Sequence, residues 1–172
     1  MRPMLGLGMR SGYGSGMHPS TARIRDILAD AGVDAEVREL AESTRTAVEA
    51  AAALGCEVGA IASSLVFMAD GEPILVLTSG AHRVDTEFLA GAIGAAAITR
   101  ASADQVREAT GQPIGGVAPV GHPGPLRMYL DVALREHALL WAAAGTPRSV
   151  FSITYAELAR VTDAVEVSVE SL

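Results

Sequence analysis

Between Thr110 and Pro125 the chain reads Thr-Gly-Gln-Pro-Ile-Gly-Gly-Val-Ala-Pro-Val-Gly-His-Pro-Gly-Pro, a run with five glycines and four prolines. Gly115 and Gly116 have no β-carbon, so a ligand can approach their backbone closely and their amides can point at an oxygen or a carboxylate. Pro113, Pro119, Pro123 and Pro125 stiffen the run, so less order has to be created on binding. The same composition also suits a plain surface turn that uses glycine for positive φ. His122, in Gly-His-Pro, can shuttle a proton, although no carboxylate is evident to orient its ring. Ser63 can donate a hydrogen bond or hold a water, or it can be a small residue on a packed strand face. Asp131 can accept backbone N–H groups and hold the glycine loop in place, or it can touch a ligand. Arg83 can meet a phosphate or pair with a surface carboxylate. Thr44, Arg45 and Thr46 lie just ahead of a helix, where Thr46 also suits a capping role and Arg45 a solvated one.

Short elements must position these groups. Ser20 is expected to cap a helix from Thr21 to Ala31, with Ile24, Ile27, Leu28 and Ala31 on one face and Gly32 after it. Val33 to Leu40 reads as a strand. Thr46-x-x-Glu49 is a capping box for a helix through Leu54. Ala60 to Ala69 alternates as a strand, with Ile61, Ser63, Leu65 and Phe67 on one face. Asp70-Gly71 turns it into a partner strand, Pro73 to Thr78. Ser79 to Arg83 is a turn, and Asp85 caps a helix through Ile93 with Phe88, Leu89, Ala92 and Ile93 inward. Ala95 to Thr99 reads as a short buried strand, and Ser102-x-x-Gln105 boxes a helix through Thr110. Beyond the glycine loop come the strand Leu126 to Asp131, a helical turn Val132 to Glu136, and the strands Leu139 to Ala144 and Ser149 to Ile153. Thr154-x-x-Glu157 opens a helix ending near Val161, and Val165, Val167 and Val169 alternate as a last strand. Short strands mixed with short helices, several joined directly as hairpins, predict an α+β fold on a mixed sheet rather than a doubly wound one.

Composition narrows the chemistry. At 172 residues and 49% hydrophobic content the chain can bury one domain's core. Residues 1–19 are Gly-rich, lack periodicity and read as a flexible lead-in to one domain over 20–172. The net charge of −7 disfavours a protein held to nucleic acid mainly through phosphates, leaving at most a short end bound in a local pocket. All 13 basic residues are arginines, which excludes lysine Schiff-base chemistry and a Walker-type phosphate loop. Cys56 is the single cysteine, so no internal disulfide forms, as suits a reducing cytoplasm. No Cys/His spacing suggests zinc, no Gly-x-Ser-x-Gly elbow is present, and no apolar run is long enough to span a membrane. No metal or cofactor is expected, and neither DNA nor a membrane is an expected partner.

Gly115-x-x-x-Pro119, inside Thr-Gly-x-x-x-Gly-Gly-Val-x-Pro-x-Gly, resembles the signature loop of the YbaK / prolyl-tRNA-synthetase-associated domain family, whose members are aminoacyl-tRNA editing deacylases. Ile61-Ala62-Ser63-Ser64-Leu65-Val66-Phe67 is similar to the family's first central strand, Leu130-Asp131 to its Ile-Asp pair, and Ala144-Gly145-Thr146-Pro147 to its late glycine turn. The likeness runs from about Thr21 to Val161 in the family's order. It implies a single-domain mixed, mostly antiparallel curved sheet with surrounding helices, and a cytoplasmic, free-standing hydrolase of translation quality control. The substrate would be a tRNA acceptor end mischarged with a small amino acid, with an aminoacyl-tRNA synthetase as a further partner. Ser63, Gly115 and Gly116 would carry the catalysis. Thr44, Arg45, Thr46, Arg83, Val117, Pro119, His122 and Asp131 would contact substrate. The family places a lysine where this chain has Ser63. A lost charge-assisted hydrogen bond is worth roughly 1.5–3 kcal/mol, so a binding module without catalysis is the alternative. A hydrolase of another small acyl ester is a third reading.

Overall fold

The structure, a computed structural model, describes residues 17–44 and 46–171. The expected lead-in therefore lies largely outside the described residues, as does Arg45. Five α-helices are described: α1 (Pro19–Asp30), α2 (Ala47–Leu54), α3 (Thr86–Ile93), α4 (Ala103–Thr110) and α5 (Tyr155–Thr162). The capping signals set most of their starts. Thr46, Ser102 and Thr154 each form a complete capping box, Asp85 accepts from the Phe88 amide, and Gly55, Gly94 and Gly111 close helices in the left-handed region. α1 starts differently. His18, not Ser20, is its cap, accepting from the Ser20 amide, because Pro19 supplies a helical φ with no amide to satisfy.

Among the described residues eight strands form one open sheet: β1 (Val37–Glu39), β2 (Ile61–Ala69), β3 (Glu72–Ser79), β4 (Ile98–Arg100), β5 (Arg127–Asp131), β6 (Leu140–Ala143), β7 (Ser149–Ile153) and β8 (Val165–Val167). The spatial order is β1-β7-β6-β2-β3-β5-β8, with β4 attached to β2. The pairs β1/β7, β2/β3, β2/β4 and β6/β7 are antiparallel, and β2/β6, β3/β5 and β5/β8 are parallel. The mixed α+β architecture expected above is the one found. The outer strands are shorter than the apolar runs suggest, since β1 and β4 pair over three residues only. In β4 only Ile98 is buried, and in α3 it is Leu89 and Ala90 that are buried while Phe88 and Ala92 face solvent.

β2 organises the sheet. One of its edges pairs with β3 from Ala62 to Ala69. The other edge is shared: β6 takes Ile61 and Ala62, β4 takes Phe67 to Ala69, and residues 63–66 between them have no strand partner on that edge among the described residues. The sheet is therefore split at its centre. Its two faces are also covered unequally. Ala62 and Val66 point into the main core with Ile24 and Leu28 of α1, Val106 of α4 and Leu158 of α5. On the opposite face Ile61 packs with Ala50 and Ala51 of α2, while Phe67 packs with Leu89 of α3. Ser63 and Leu65 fall between those two clusters, and Leu65 is 40% exposed. Among the described residues no helix is long and apolar enough to cross a membrane.

Candidate active site

The split in the sheet opens into a cleft of about 340 Å³. Its floor is β2 from Ile61 to Phe67. Thr44, Thr46, Ala47 and Ala50 form one wall, and Trp141, Ala142 and Ala143 of β6 with Val150 of β7 form another. Ile114, Gly115 and Val117 of the glycine loop and Thr146 and Pro147 of the late turn border its end. Ser63 lines this cleft because the two helices that cover its face leave a gap there. Ser64 lines it too, and its hydroxyl is closed off from solvent with no hydrogen-bond partner among the described residues.

The glycine loop is held by its own side chains. The Gly116 amide donates to the Pro113 carbonyl at 2.9 Å, and Gly115 has φ of +88°. That is a four-residue turn whose third position needs a left-handed residue. Gly116 has a different requirement: a β-carbon there would lie 2.6 Å from the Thr146 carbonyl carbon. The two glycines that together suggested a ligand cradle thus serve the loop separately, and the Gly116 amide is already spent inside the turn. Among the described residues the Ile114, Gly115 and Val117 amides of the lining have no protein acceptor, so Gly115 and Val117 are among the loop donors left for a ligand. Buried Gln112 fixes the rest, its side-chain nitrogen donating to the Val120 carbonyl and its oxygen accepting from the Ala118 amide at 2.6 Å. A lone polar residue inside a Gly/Pro run was the available signal for Gln112.

His122 is a second staple rather than a lining residue. Its Nε2 donates to the Ala118 carbonyl at 2.9 Å. Burial pushes its pKa below the ordinary value; the Ala118 bond opposes this and the nearby Arg23 guanidinium adds to it. Pro119 is buried and also lies outside the lining. Asp131, 1% exposed, sits away from the cleft at the end of β5. It accepts from the Ser79 and Ala133 amides at 3.0 Å each and from the Thr78 hydroxyl, and it meets His82 Nδ1 at 2.9 Å. It therefore ties β3 to the turn after β5, not the glycine loop. Arg83 follows His82, and its amide donates to Glu170, so this group also stands apart from the lining. Thr46 caps α2 through the Glu49 amide and also lines the cleft.

Among the described residues the lining holds no carboxylate, histidine, cysteine or lysine, and its one ionisable side chain is Arg100, at the end of β4 opposite Phe67. A lone arginine beside an alternating strand gave no signal in the sequence. Sequence reasoning also missed a hydroxyl chain. Thr21 donates to Ser149 at 2.8 Å, and Ser149 and Thr146 share a further 2.8 Å bond. Its members are 128 and 3 residues apart, beyond any local pattern. Among the described residues no group of three or more His, Cys, Asp or Glu side chains is placed to hold a metal ion.

With this geometry in view, relatives are informative. The chain is 36% identical over 135 residues to the proline–tRNA ligase of Bacillus licheniformis, covering 76% of this chain but 23% of that ligase. It is 33% identical over 124 residues to the protein YwhH of Bacillus subtilis, covering 72% of this chain and 78% of that one. A solved structure described as "a putative trans-editing enzyme for prolyl tRNA synthetase" superposes with a TM-score of 0.83 at 41% identity, over 91% of this chain and all of that one. The profile of the aminoacyl-tRNA editing domain matches residues 41–161, a span that contains β2, the glycine loop and the late turn, that is, nearly every wall of the cleft. The chain belongs to the aminoacyl-tRNA editing domain family.

Proposed function

We propose that this protein is a trans-acting deacylase that hydrolyses the ester joining a small, mismatched amino acid to the 3′ end of a tRNA. The observation that carries the reading is the split edge of β2, which places Ser63 and the unpaired Gly115 and Val117 amides around one cleft in a member of an editing family. The cleft is small and walled by Ala47, Ala50, Ala62, Ala142 and Ala143, which suits a short side chain, although selection by one methylene is weak. With no side-chain base in the described lining, the attacking water is activated from the substrate itself, through its neighbouring ribose hydroxyl. The amides of Gly115 and Val117 then stabilise the oxygen that gains charge. Ser63 contacts the ribose or a water, and Arg100 supplies the positive charge that a lysine at position 63 would have brought to a phosphate. A second reading rests on that same substitution: Ser63 carries no charge, so a module that holds an aminoacyl end without turnover is the competing function.

The test is deacylation of a panel of tRNAs carrying small mismatched amino acids, followed against a no-protein control. Hydrolysis of at least one pair, lost in Gly116→Ala, supports the deacylase. Tight binding of a non-hydrolysable aminoacyl-adenosine amide without turnover of any pair supports the binding module. Turnover of small acyl esters with indifference to tRNA overturns both.

A further inference from the structure

The hydroxyls of Thr21, Ser149 and Thr146 form a chain that ends in the cleft, and counting protons along it leaves one unassigned. Three hydroxyls carry three protons, and the two hydroxyl–hydroxyl bonds use two. Thr21 donates to Ser149, so the spare proton sits on Ser149 or Thr146, both of which line the cleft. Ser149 is 1% exposed and Thr146 is half-buried. The Arg148 amide donates to Thr146 Oγ1 at 3.2 Å. When Ser149 is the donor in the bond it shares with Thr146, both lone pairs of Oγ1 are occupied, by Arg148 N–H and Ser149 O–H. Thr146 can then only donate, and among the described residues it has no acceptor. The backbone of Thr146 also abuts Gly116. That contact sets Thr146 beside the glycine loop, in the same lining as Gly115 and Val117.

We infer that Thr146 is a catalytic residue of this cleft, donating its hydroxyl hydrogen bond to the carbonyl oxygen of the bound aminoacyl ester. This rests on the deacylase reading above. The hydroxyl keeps its proton throughout. Water forms a bond to the carbonyl carbon, the carbonyl oxygen gains the negative charge that Thr146 and the loop amides hold, and the bond to the ribose oxygen breaks. One water proton ends on that ribose oxygen and the other leaves with the freed amino acid. With Ser149 as the donor in their shared bond, the Thr146 hydroxyl is already held as a donor by its neighbours and needs little reorganisation as that charge develops. Thr146 thereby adds a side-chain donor to the loop amides in a site that has no lysine.

The experiment measures kcat and KM of Thr146→Val and Thr146→Ser on the mischarged tRNA that the wild-type protein turns over best, with unfolding temperatures for both variants. Loss of one donor to a developing charge is expected to lower kcat about 100-fold in Thr146→Val, with KM within about threefold. Thr146→Ser keeps the donor and is expected to recover kcat to within about threefold. A Thr146→Val enzyme with wild-type kcat overturns the assignment, as does a Thr146→Ser enzyme as slow as Thr146→Val at equal stability. A change confined to KM makes the contact a ground-state one and also overturns it. A wild-type protein that turns over no ester takes down the deacylase reading and this assignment with it.

Discussion

Gly115 and Gly116 are neighbours of one type, and the structure gives them opposite tolerances. A β-carbon at Gly115 meets nothing within 4 Å, so alanine there costs only its left-handed backbone at φ of +88°, about 1 kcal/mol. A β-carbon at Gly116 would lie 2.6, 2.8 and 2.9 Å from the carbonyl carbon and Cα of Thr146 and the nitrogen of Pro147. Ordinary contact starts at 3.4 Å, so the nearest approach is short by 3.4 − 2.6 = 0.8 Å. All three atoms are backbone and cannot rotate aside, so the loop and the late turn must separate by nearly 1 Å. Overpacking of that size costs about 1–3 kcal/mol, and a 1 Å misplacement of donors can cost about 100-fold in rate. For a chain of this length each kcal/mol is worth about 2–4 °C. Thermal unfolding and tRNA deacylation of the two alanine variants should therefore diverge. Gly115→Ala is expected to lose about 3 °C and to keep rate within about fivefold. Gly116→Ala is expected to lose more than about 4 °C and about 100-fold in rate. Equal effects, or a Gly115→Ala variant more impaired than Gly116→Ala, would refute the reasoning.

Other parts of the molecule give further tests. Arg100→Gln removes the one charge in the described lining and should weaken tRNA binding while lowering the salt slope of log K by about 0.7–1, read by titration at several salt concentrations; an unchanged slope would place Arg100 off the phosphate path. Asp131→Ala leaves the Ser79 and Ala133 amides, the Thr78 hydroxyl and His82 without their buried acceptor. Its expected cost is about 3 kcal/mol in urea unfolding, and a fully stable variant that lost only activity would instead put Asp131 on the substrate. Because burial lowers the His122 pKa below its ordinary 6.5, the unfolded chain binds the proton first. That contribution to stability is complete above 6.5 and is lost as pH falls toward the folded value. His122→Gln should flatten this part of the stability–pH curve while still donating to Ala118, and an unchanged slope would mean that another group drives it.

What the sequence alone determined was local. The three capping boxes, the left-handed glycines after α2, α3 and α4, the β2–β3 hairpin around Asp70-Gly71 and the α+β class all follow from contacts within a few residues, where pattern and geometry coincide. The likeness of the glycine loop to an editing family was legible there too, and it pointed to the loop that borders the cleft. Even locally there were misses: Pro19 moved the start of α1 back to His18, and helical spacing could not tell that Phe88 faces water. The tertiary structure decided whatever depended on which distant groups share an edge. Whether Ser63 met core or cavity could not be read from its period. The answer depends on β6 and β4 taking opposite ends of one edge of β2 and on α2 and α3 leaving a gap over the same face. Gly116 needs its missing β-carbon because Thr146, thirty positions on, packs against it, a demand that φ preferences alone do not predict. Asp131, His122 and Gln112 are polar groups whose roles follow from the buried N–H and C=O groups around them. A strand's pattern records which side each residue faces, and only the pairing of strands records what waits on that side.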